Sequence, residues 1–428
     1  MERKRGSISS PRARKRGKRG KEKADDVDSH KLGPCFDDLP FSITTDILLR
    51  LPIKSVLICK RVCKTWNTLI SDPHFAKLHF KQSRFGFMIR TCDPKLVSRT
   101  MYLLEDEPQE LDSKCNNSLK LEPKFKLPLR DAKLVLDKQD GTDGLLACWP
   151  DDHKFDVVNS CNGLLCLSGP FNNDPLVVCN PVTGEFIRLP KVIRNKYNTL
   201  FSGIGFQPST NKYKVVKIEY DSMNVEINVV GTPTWRNVRI SPTILGHWRS
   251  KHPTFVNEAL HWIFFNGKRC SILRFNFETE KLQLIFLPFS QNTYLHKGIS
   301  MGALRDSLYV CDATLPSSVD VWIMKDYGCT KVKWSKAFTF RRAPYSEVSV
   351  YWPICWPVKH FEKDTAMLQY CSKAGFTYYN PKNNRPNKFQ VCGTQEKTLK
   401  VIPHIPSLIS LKDVVKGDNA EVLNIHSR

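Results

Sequence analysis

The chain has 428 residues, of which 41% are apolar and 11% aromatic. This composition can build a sizeable hydrophobic core, which excludes a chain that is disordered throughout. The formal net charge is +23. The sequence has no apolar stretch of the roughly 18 residues that a membrane-spanning helix needs, so we expect no membrane partner.

The positive charge is unevenly distributed. Residues 1–23 hold eleven Lys or Arg and two Glu, a net +9, and the other 405 residues carry +14. A charge of this sign favours nucleic acid, acidic protein surfaces or an import receptor as partners. The N-terminal segment lacks the apolar run of a secretory signal, so we expect the fifteen cysteines to be reduced, in the nucleus and/or cytoplasm.

Residues 1–34 are predicted to form a disordered basic tail, because they contain almost no apolar side chains to offset the entropy of ordering. A dense cluster within the tail suggests a nuclear import signal, carried by Arg12, Arg14, Lys15, Arg16, Lys18 and Arg19. The alternative is a solvated tail with nonspecific affinity for polyanions. Both interpretations stay open at this point.

Residues 35–80 show apolar spacing typical of short helices. Ile43, Ile47, Leu48 and Leu51 lie on one stripe of a helix that Pro52 ends. Two further short helices are predicted after it, with Asp72-Pro73 closing the unit. About 40 residues form only a shallow core, so such a unit often gains stability by docking on a partner.

These residues also resemble a known motif, the plant F-box. The resemblance runs from Leu39-Pro40 through Asp46-Ile47-Leu48 and the segment 50–56 to the segment 59–75. It implies an adaptor of the Skp family as partner and, through it, a cullin scaffold. The implied adaptor-binding side chains, some of which also serve the motif's own core, are Leu39, Pro40, Ile43, Ile47, Leu48, Leu51, Pro52, Ile53, Leu57, Val62 and Trp66. Asp46 stands where the family usually has Glu.

From about residue 84 onward, short apolar runs alternate with turn signals, which predicts strands. Val225, Ile227 and Val229 alternate with polar residues, the period of a half-buried strand. Residues 105–130 are predicted to be a loop. Closing strands are predicted near Phe186, Trp235, Leu282, Trp334 and Phe389, at intervals of 49, 47, 52 and 55 residues.

Four short strands in a repeat of about 50 residues are typical of a kelch-like propeller blade. Five such units are visible, residues 84–150 could supply a sixth, and 399–402 could add a closing strand. The sequence contains neither a Gly-Gly pair nor a Trp-Asp dipeptide. A sandwich or an irregular β domain therefore stays open.

The same region resembles the plant F-box-associated interaction domain, on the segments 159–166, 179–185, 203–216 and the closing segment 403–408. The predicted fold class is thus α+β, with a three-helix F-box at 35–80 and an all-β, propeller-like domain of about six blades at 84–412. A flexible tail is expected at 413–428. The resemblance implies the substrate receptor of an SCF-type ubiquitin ligase, binding a protein target of unknown identity.

Few residue patterns in the sequence suggest a catalytic, metal-binding or phosphate-binding site. Cys59 and Cys63 have no recognisable nucleophile context and are interpreted as packing residues. His74 with His79, and His247 with His252, do not share a helical face as zinc ligands would. Gly203-x-Gly205 lacks the third glycine of a phosphate loop. We therefore expect no enzyme activity, no metal and no cofactor.

Aromatic and basic residues are interleaved near Trp262–Phe265, Lys268, Arg269 and Arg274. This pattern allows a nucleic-acid platform, although a buried strand followed by a basic turn is favoured. A second cluster, Tyr351, Trp352 and Trp356, is either an interface anchor or core. The sequence thus leaves three hypotheses: a ligase substrate receptor, which leads; a nuclear nucleic-acid-binding protein; and a propeller enzyme with paired carboxylates, ranked last.

Overall fold

Four helices precede the sheets in the computed structural model: α1 (Phe41–Leu49), α2 (Ile53–Cys59), α3 (Lys64–Ser71) and α4 (Pro73–Gln82). Residues 45–428 form one compact unit, and of residues 1–44 the last six are described. The structure describes residues 39–92, 100–104, 118–119, 124–127, 156–171, 174–190, 200–219, 224–238, 247–248, 252–265, 269–289, 298–304, 306–315, 318–325, 332–341, 356–361, 365–369, 375–379, 386–391, 398–415 and 420–426.

The fourth helix corrects the prediction that Asp72-Pro73 closes the helical unit. Pro73 occupies the first position of α4, where its missing N–H costs nothing. The Asp72 side chain accepts a hydrogen bond from the His74 N–H at 2.6 Å and so caps the helix. The same dipeptide that ends α3 therefore starts α4.

The helices α2 to α4 and the second half of α1 share a small core. Leu48, Val56, Ile70 and Phe75 are buried in it, and Trp66 packs against it. His79 lies in the same region and bonds through Nε2 to the Leu51 carbonyl at 3.0 Å. Burial lowers the pKa of His79, so the imidazole is neutral at pH 7.

The described strands form six antiparallel sheets of four or five strands, one of which gains a short parallel partner. Five sheets are built from neighbours in sequence: β5 to β8 (Asp156–Cys161, Leu164–Phe171, Asp174–Asn180, Glu185–Arg188), β9 to β12 (Leu200–Gln207, Lys212–Glu219, Val225–Val229, Arg236–Val238), β13 to β17 (His247–Trp248, Thr254–Val256, Ala259–Phe265, Cys270–Asn276, Lys281–Phe286), β18 to β21 (Ile299–Leu304, Ser307–Asp312, Ser318–Lys325, Lys333–Arg341) and β22 to β25 (Trp356–Phe361, Thr365–Gln369, Gly375–Tyr379, Pro386–Val391).

The sixth sheet joins the two ends of the β region. It contains β1 (Gly86–Cys92), β2 (Thr100–Leu104), β4 (Lys124–Lys126) and β26 (Thr398–His404), and β26 pairs with β1 along seven residues. The predicted closing strand is therefore confirmed. The five predicted repeat ends also fall at the last strand of each local sheet, β8, β12, β17, β21 and β25. This repetition of local four-stranded units excludes a sandwich.

Three predictions of local structure were wrong. The loop predicted at 105–130 contains β4 and the two-residue β3 (Ser118–Leu119), which pairs with β25. The strand at Val225 is buried on both faces, since its polar positions Glu226 and Asn228 are buried too, and Asn228 donates to the carbonyls of Thr232 and Thr234. The tail predicted to be flexible at 413–428 includes the end of helix α5 (Leu411–Val414) and strand β27 (Leu423–Asn424), which pairs with β8.

Neighbouring sheets pack directly against each other. Phe201, Ile218 and Trp262 share one apolar cluster, although they come from β9, β10 and β15. Gly205 on β9 faces the Phe277 ring, and a Cβ at this position would overlap that ring. The glycines of Gly203-x-Gly205 thus serve close packing of two sheets, which explains their spacing without a phosphate.

Candidate functional site

Helix α1 carries several exposed apolar side chains. Phe41 is 63% exposed, Ile43 47% and Ile47 39%. Ile43 and Ile47 are one helical turn apart and so lie on the same face. Leu39 and Pro40, which precede the helix, are also exposed, and the Pro40 carbonyl accepts the N–H groups of Ile43 and Thr44. Exposure of this much apolar surface on a short helix is typical of an interaction site.

A second exposed apolar pair lies between α2 and α3. Ile58 is 59% exposed at the end of α2, and Val62 is 63% exposed in the turn that follows. The Cys63 sulfur accepts the Trp66 N–H at 3.4 Å and caps α3, which fixes this turn. Residues 50–71 contain five Lys or Arg and no Asp or Glu, so the segment that carries these apolar side chains is basic.

The other predicted adaptor-binding residues are less accessible. Leu48 is buried in the helical core, and Ile53 is buried in a cluster with Met88, Leu165 and Phe186 of the sheets. Pro52 is partly exposed, and Leu51, Leu57 and Trp66 are partly buried. Ile58, which sequence reasoning missed, is more exposed than Ile43. A contact between any of these residues and an adaptor stays a prediction.

Asp46, the departure from the F-box pattern, forms an ion pair with Arg50 at 2.8 Å. Both side chains are more than half exposed, and the pair joins successive turns of α1. Exposed pairs of this kind contribute only about 0.3–0.5 kcal/mol. Asp46 therefore adds little to the stability of the helix.

The candidate catalytic and metal-binding residues are dispersed. The described residues contain no group of three or more His, Cys, Asp or Glu that could hold a metal ion. His74 is exposed, whereas His79 is buried against Leu51, and the His252 Nε2 lies 3.2 Å from the Asp156 carboxylate. Burial raises the pKa of the Cys59 thiol, which disfavours the thiolate that a nucleophile needs.

The candidate nucleic-acid platform is a buried strand. Trp262 and Phe264 lie on β15 with at most 1% of their surface exposed, so no base can stack on them. The buried strand of the favoured interpretation is confirmed, whereas Lys268 of the predicted basic turn lies outside the described residues. Of the second aromatic cluster, Tyr351 and Trp352 lie outside the described residues, and Trp356 starts β22.

Sequence reasoning missed the asparagines that organise the turns. Asn180 Oδ1 accepts the N–H groups of Val182 and Thr183, and Asn276 Oδ1 accepts those of Glu278 and Thr279. Both asparagines stand three residues before a threonine, and both end the third main strand of a local sheet. This recurring Asn-x-x-Thr spacing was a signal that could have located the turns in advance.

None of the helices in the described ranges is long and apolar enough to cross a membrane. Helices with exposed apolar side chains precede six sheets, and the late strand β26 pairs with β1. This order defines a class: a helical N-terminal motif followed by a β-propeller.

The comparisons with known proteins place the chain within that class. The F-box domain model matches residues 36–78, and the F-box associated beta propeller domain model matches residues 139–415. The chain belongs to the F-box proteins with an F-box-associated β-propeller domain, a plant family.

Individual relatives agree with this assignment. F-box protein At3g07870 of Arabidopsis thaliana is 27% identical over 74% of this chain and 75% of its own length. F-box protein At2g16450 of the same plant is 24% identical over 90% of this chain and 97% of its own. Among solved structures, TolB from Acinetobacter baumannii has 11% identity and a TM-score of 0.40, covering 76% of this chain and 67% of that one, which is too distant to bear on function.

Proposed function

We propose that this chain is the substrate-recognition subunit of an SCF-type ubiquitin ligase. In this function the F-box helices bind a Skp-family adaptor, which connects to a cullin scaffold, and the propeller binds a target protein. The observation that carries the proposal is the exposure of Phe41, Ile43, Ile58 and Val62 on helices that match the F-box model.

The driving force for adaptor binding is burial of these apolar side chains. Removing apolar surface from water contributes about 25 cal/mol per Å² to the free energy of binding. The net affinity is smaller, because association also costs the entropy of ordering both partners. Phe41 and Val62 are each 63% exposed, and Ile58 is 59% exposed. Leu48 and Val56 are buried in the core of the helices, and this core supports the segment that carries Ile58 and Val62.

No residue of this chain needs to perform bond chemistry in such a complex. A target held by the propeller is brought close to a conjugating enzyme charged with ubiquitin, which raises the effective concentration of its lysines. The chain then acts as a non-catalytic adaptor. The buried thiols agree with this role, since burial raises the pKa of Cys166 to about 12.

Capture of a plant Skp-family adaptor by the full-length chain tests the proposal. We expect Ile43→Asp with Ile47→Asp, and separately Leu39→Ala with Pro40→Ala, to abolish capture. Lys77→Asp on α4 is the matched control, because this side chain is also exposed but polar. Undiminished capture by both double variants would contradict the proposal.

Target proteins are identified by affinity capture under proteasome inhibition, comparing the intact chain with the Ile43→Asp, Ile47→Asp variant. Deletion of residues 35–80 is a poorer comparison, because it removes Ile53 from the apolar cluster that it shares with the sheets. The nucleic-acid alternative has lost its aromatic platform, since Trp262 and Phe264 are buried. A capture dominated by RNA-binding proteins would favour that alternative again.

A further inference from the structure

The C-terminal residues run along the β5–β8 sheet after β26 ends. We call the described residues 405–415 and 420–426 the strap. Asn180 Nδ2 donates to the carbonyls of Ser407 at 3.0 Å and Ile409 at 2.8 Å, and Asn180 is itself fully buried. A Cβ at Gly163 would overlap the Ser407 side chain, so the strap lies directly against the β5–β6 turn.

The strap is held again at the outer edge of this sheet. The Glu185 carboxylate accepts the Ser410 hydroxyl at 2.9 Å and the Leu411 N–H at 2.7 Å, which anchors the start of α5. Farther along, the Ile425 N–H donates to the Gly184 carbonyl at 3.0 Å. Gly184 has φ +75°, and a Cβ there would lie 2.9 Å from both Ile425 and His426.

The other side of the strap meets the F-box helices. Leu408 packs against the helical core of Leu48, Val56 and Phe75 and also against the cluster that contains Ile53 and the sheet residues. Leu423 and Ile425 pack against that second cluster, as does Leu57 of α2. The strap thus contributes apolar side chains at the junction of α2 with the sheets.

Along the chain itself, the helices are connected to the sheets by only three residues, 83–85, between α4 and β1. We propose that the strap positions the F-box helices α2 to α4 on the propeller, with Leu408, Leu423 and Ile425 as positioning residues. The consequence, which rests on the proposed function, is a fixed distance between the bound adaptor and a target on the propeller. Within the described residues, release of the strap leaves the short connection and the contacts of Ile53 and Leu57 with the sheet cluster to hold the helices.

Hydrogen exchange on the full-length chain tests this inference. Leu423→Ser with Ile425→Ser is expected to accelerate exchange of the α2 amides by at least ~10-fold, with exchange of β15 and β16 unchanged. Glu421→Ser is the matched control, because Glu421 is an exposed residue of the strap. Unchanged α2 exchange in the double variant would overturn the inference.

A second variant keeps every strap residue in place. Gly184→Ala introduces a methyl group against Ile425 and His426, and is expected to accelerate α2 exchange in the same direction. If the serine variant also loses protection in β15, its effect is not specific to the helices, and the Gly184→Ala variant is used instead. Unchanged protection of the α2 amides in Gly184→Ala would contradict the positioning role of the strap. Adaptor capture by the same variants is expected to persist. Failure of the unaltered chain to capture the adaptor would instead contradict the proposed function. The hydrogen-exchange result would remain valid in that case.

Discussion

The side-chain amide of Asn159 pairs with the main chain of Ile204 as an adjacent strand would. Asn159 Nδ2 donates to the Ile204 carbonyl at 2.8 Å, and the Ile204 N–H donates to Asn159 Oδ1 at 2.9 Å. These residues belong to β5 and β9, the first strands of successive sheets, and both are buried. One side chain thereby connects two sheets that share no ladder of their own.

We expect Asn159→Ala to destabilise the protein by about 2–4 kcal/mol, because it leaves a buried N–H and a buried carbonyl of Ile204 unpaired. Chemical denaturation measures this change. Asn67→Ala on α3 is the control and should cost less than about 0.5 kcal/mol, since Asn67 is exposed. Equal effects of the two substitutions would show that the pairing contributes nothing.

Gly205→Ala is expected to destabilise the protein by about 1–3 kcal/mol, because the added methyl group overlaps the Phe277 ring. Phe277→Leu provides the complementary variant. In the double variant the cost should be less than the sum of the two single costs, since the smaller side chain relieves the overlap. Strict additivity in denaturation midpoints would contradict this packing explanation.

Acid should destabilise the fold below about pH 6.5, before most carboxylates titrate. Burial lowers the pKa of His261 and of His404 to about 3, so both are neutral when folded, whereas the unfolded chain binds protons below its ordinary histidine pKa near 6.5. Stability is therefore fully present above that pH and is lost progressively as the pH falls toward 3.

Each of these histidines adds a slope of up to about 1.4 kcal/mol per pH unit within this window. Midpoints of urea denaturation measured between about pH 7.5 and 5 report how the free energy of unfolding changes with pH. His404→Asn is expected to make it shallower, although the folded protein loses the 2.9 Å hydrogen bond between His404 and Ser160. A pH-independent midpoint over this range would contradict neutral burial of the imidazoles.

Adaptor association is expected to depend on salt. Lys60→Gln, Arg61→Gln and Lys64→Gln together remove three positive charges beside the exposed Ile58 and Val62. We expect the association rate to fall by about tenfold at low ionic strength and the difference to shrink near 0.5 M salt, where charges are screened beyond roughly 5 Å. Stopped-flow binding measures it, and Lys77→Gln with Lys81→Gln on α4 is the control. Equal rates for the two sets would exclude steering by this surface.

The basic N-terminal tail lies outside the described residues, and its role in nuclear import remains a proposal. Removal of residues 1–23, which carry a net +9, is expected to shift a fluorescently tagged chain from the nucleus to the cytoplasm. Replacement of the six clustered basic residues by Gln is the sharper variant, because it retains the length of the tail. An unchanged distribution in both would leave the tail as a solvated polycation.

Local spacing in the amino-acid sequence was enough to predict several elements of the fold. The stripe of Ile43, Ile47 and Leu48 located α1, and the repeat intervals located the last strand of each local sheet. The closing strand at 399–402 was recognisable as well, since strand and helix periods are properties of a few consecutive residues. The asparagines that begin the Asn-x-x-Thr turns are an equally local signal, but their role was overlooked.

Which apolar residues of the F-box remain accessible depends instead on long-range packing. Ile53 and Ile58 are indistinguishable in type and lie on the same helix, yet Ile53 is buried against the sheets and Ile58 is 59% exposed. The strap was unpredictable for the same reason, because the bond from Asn180 to Ser407 joins residues 227 positions apart. Burial depends on which distant residues the fold brings into contact with a side chain. A pattern of a few consecutive residues does not identify those distant residues.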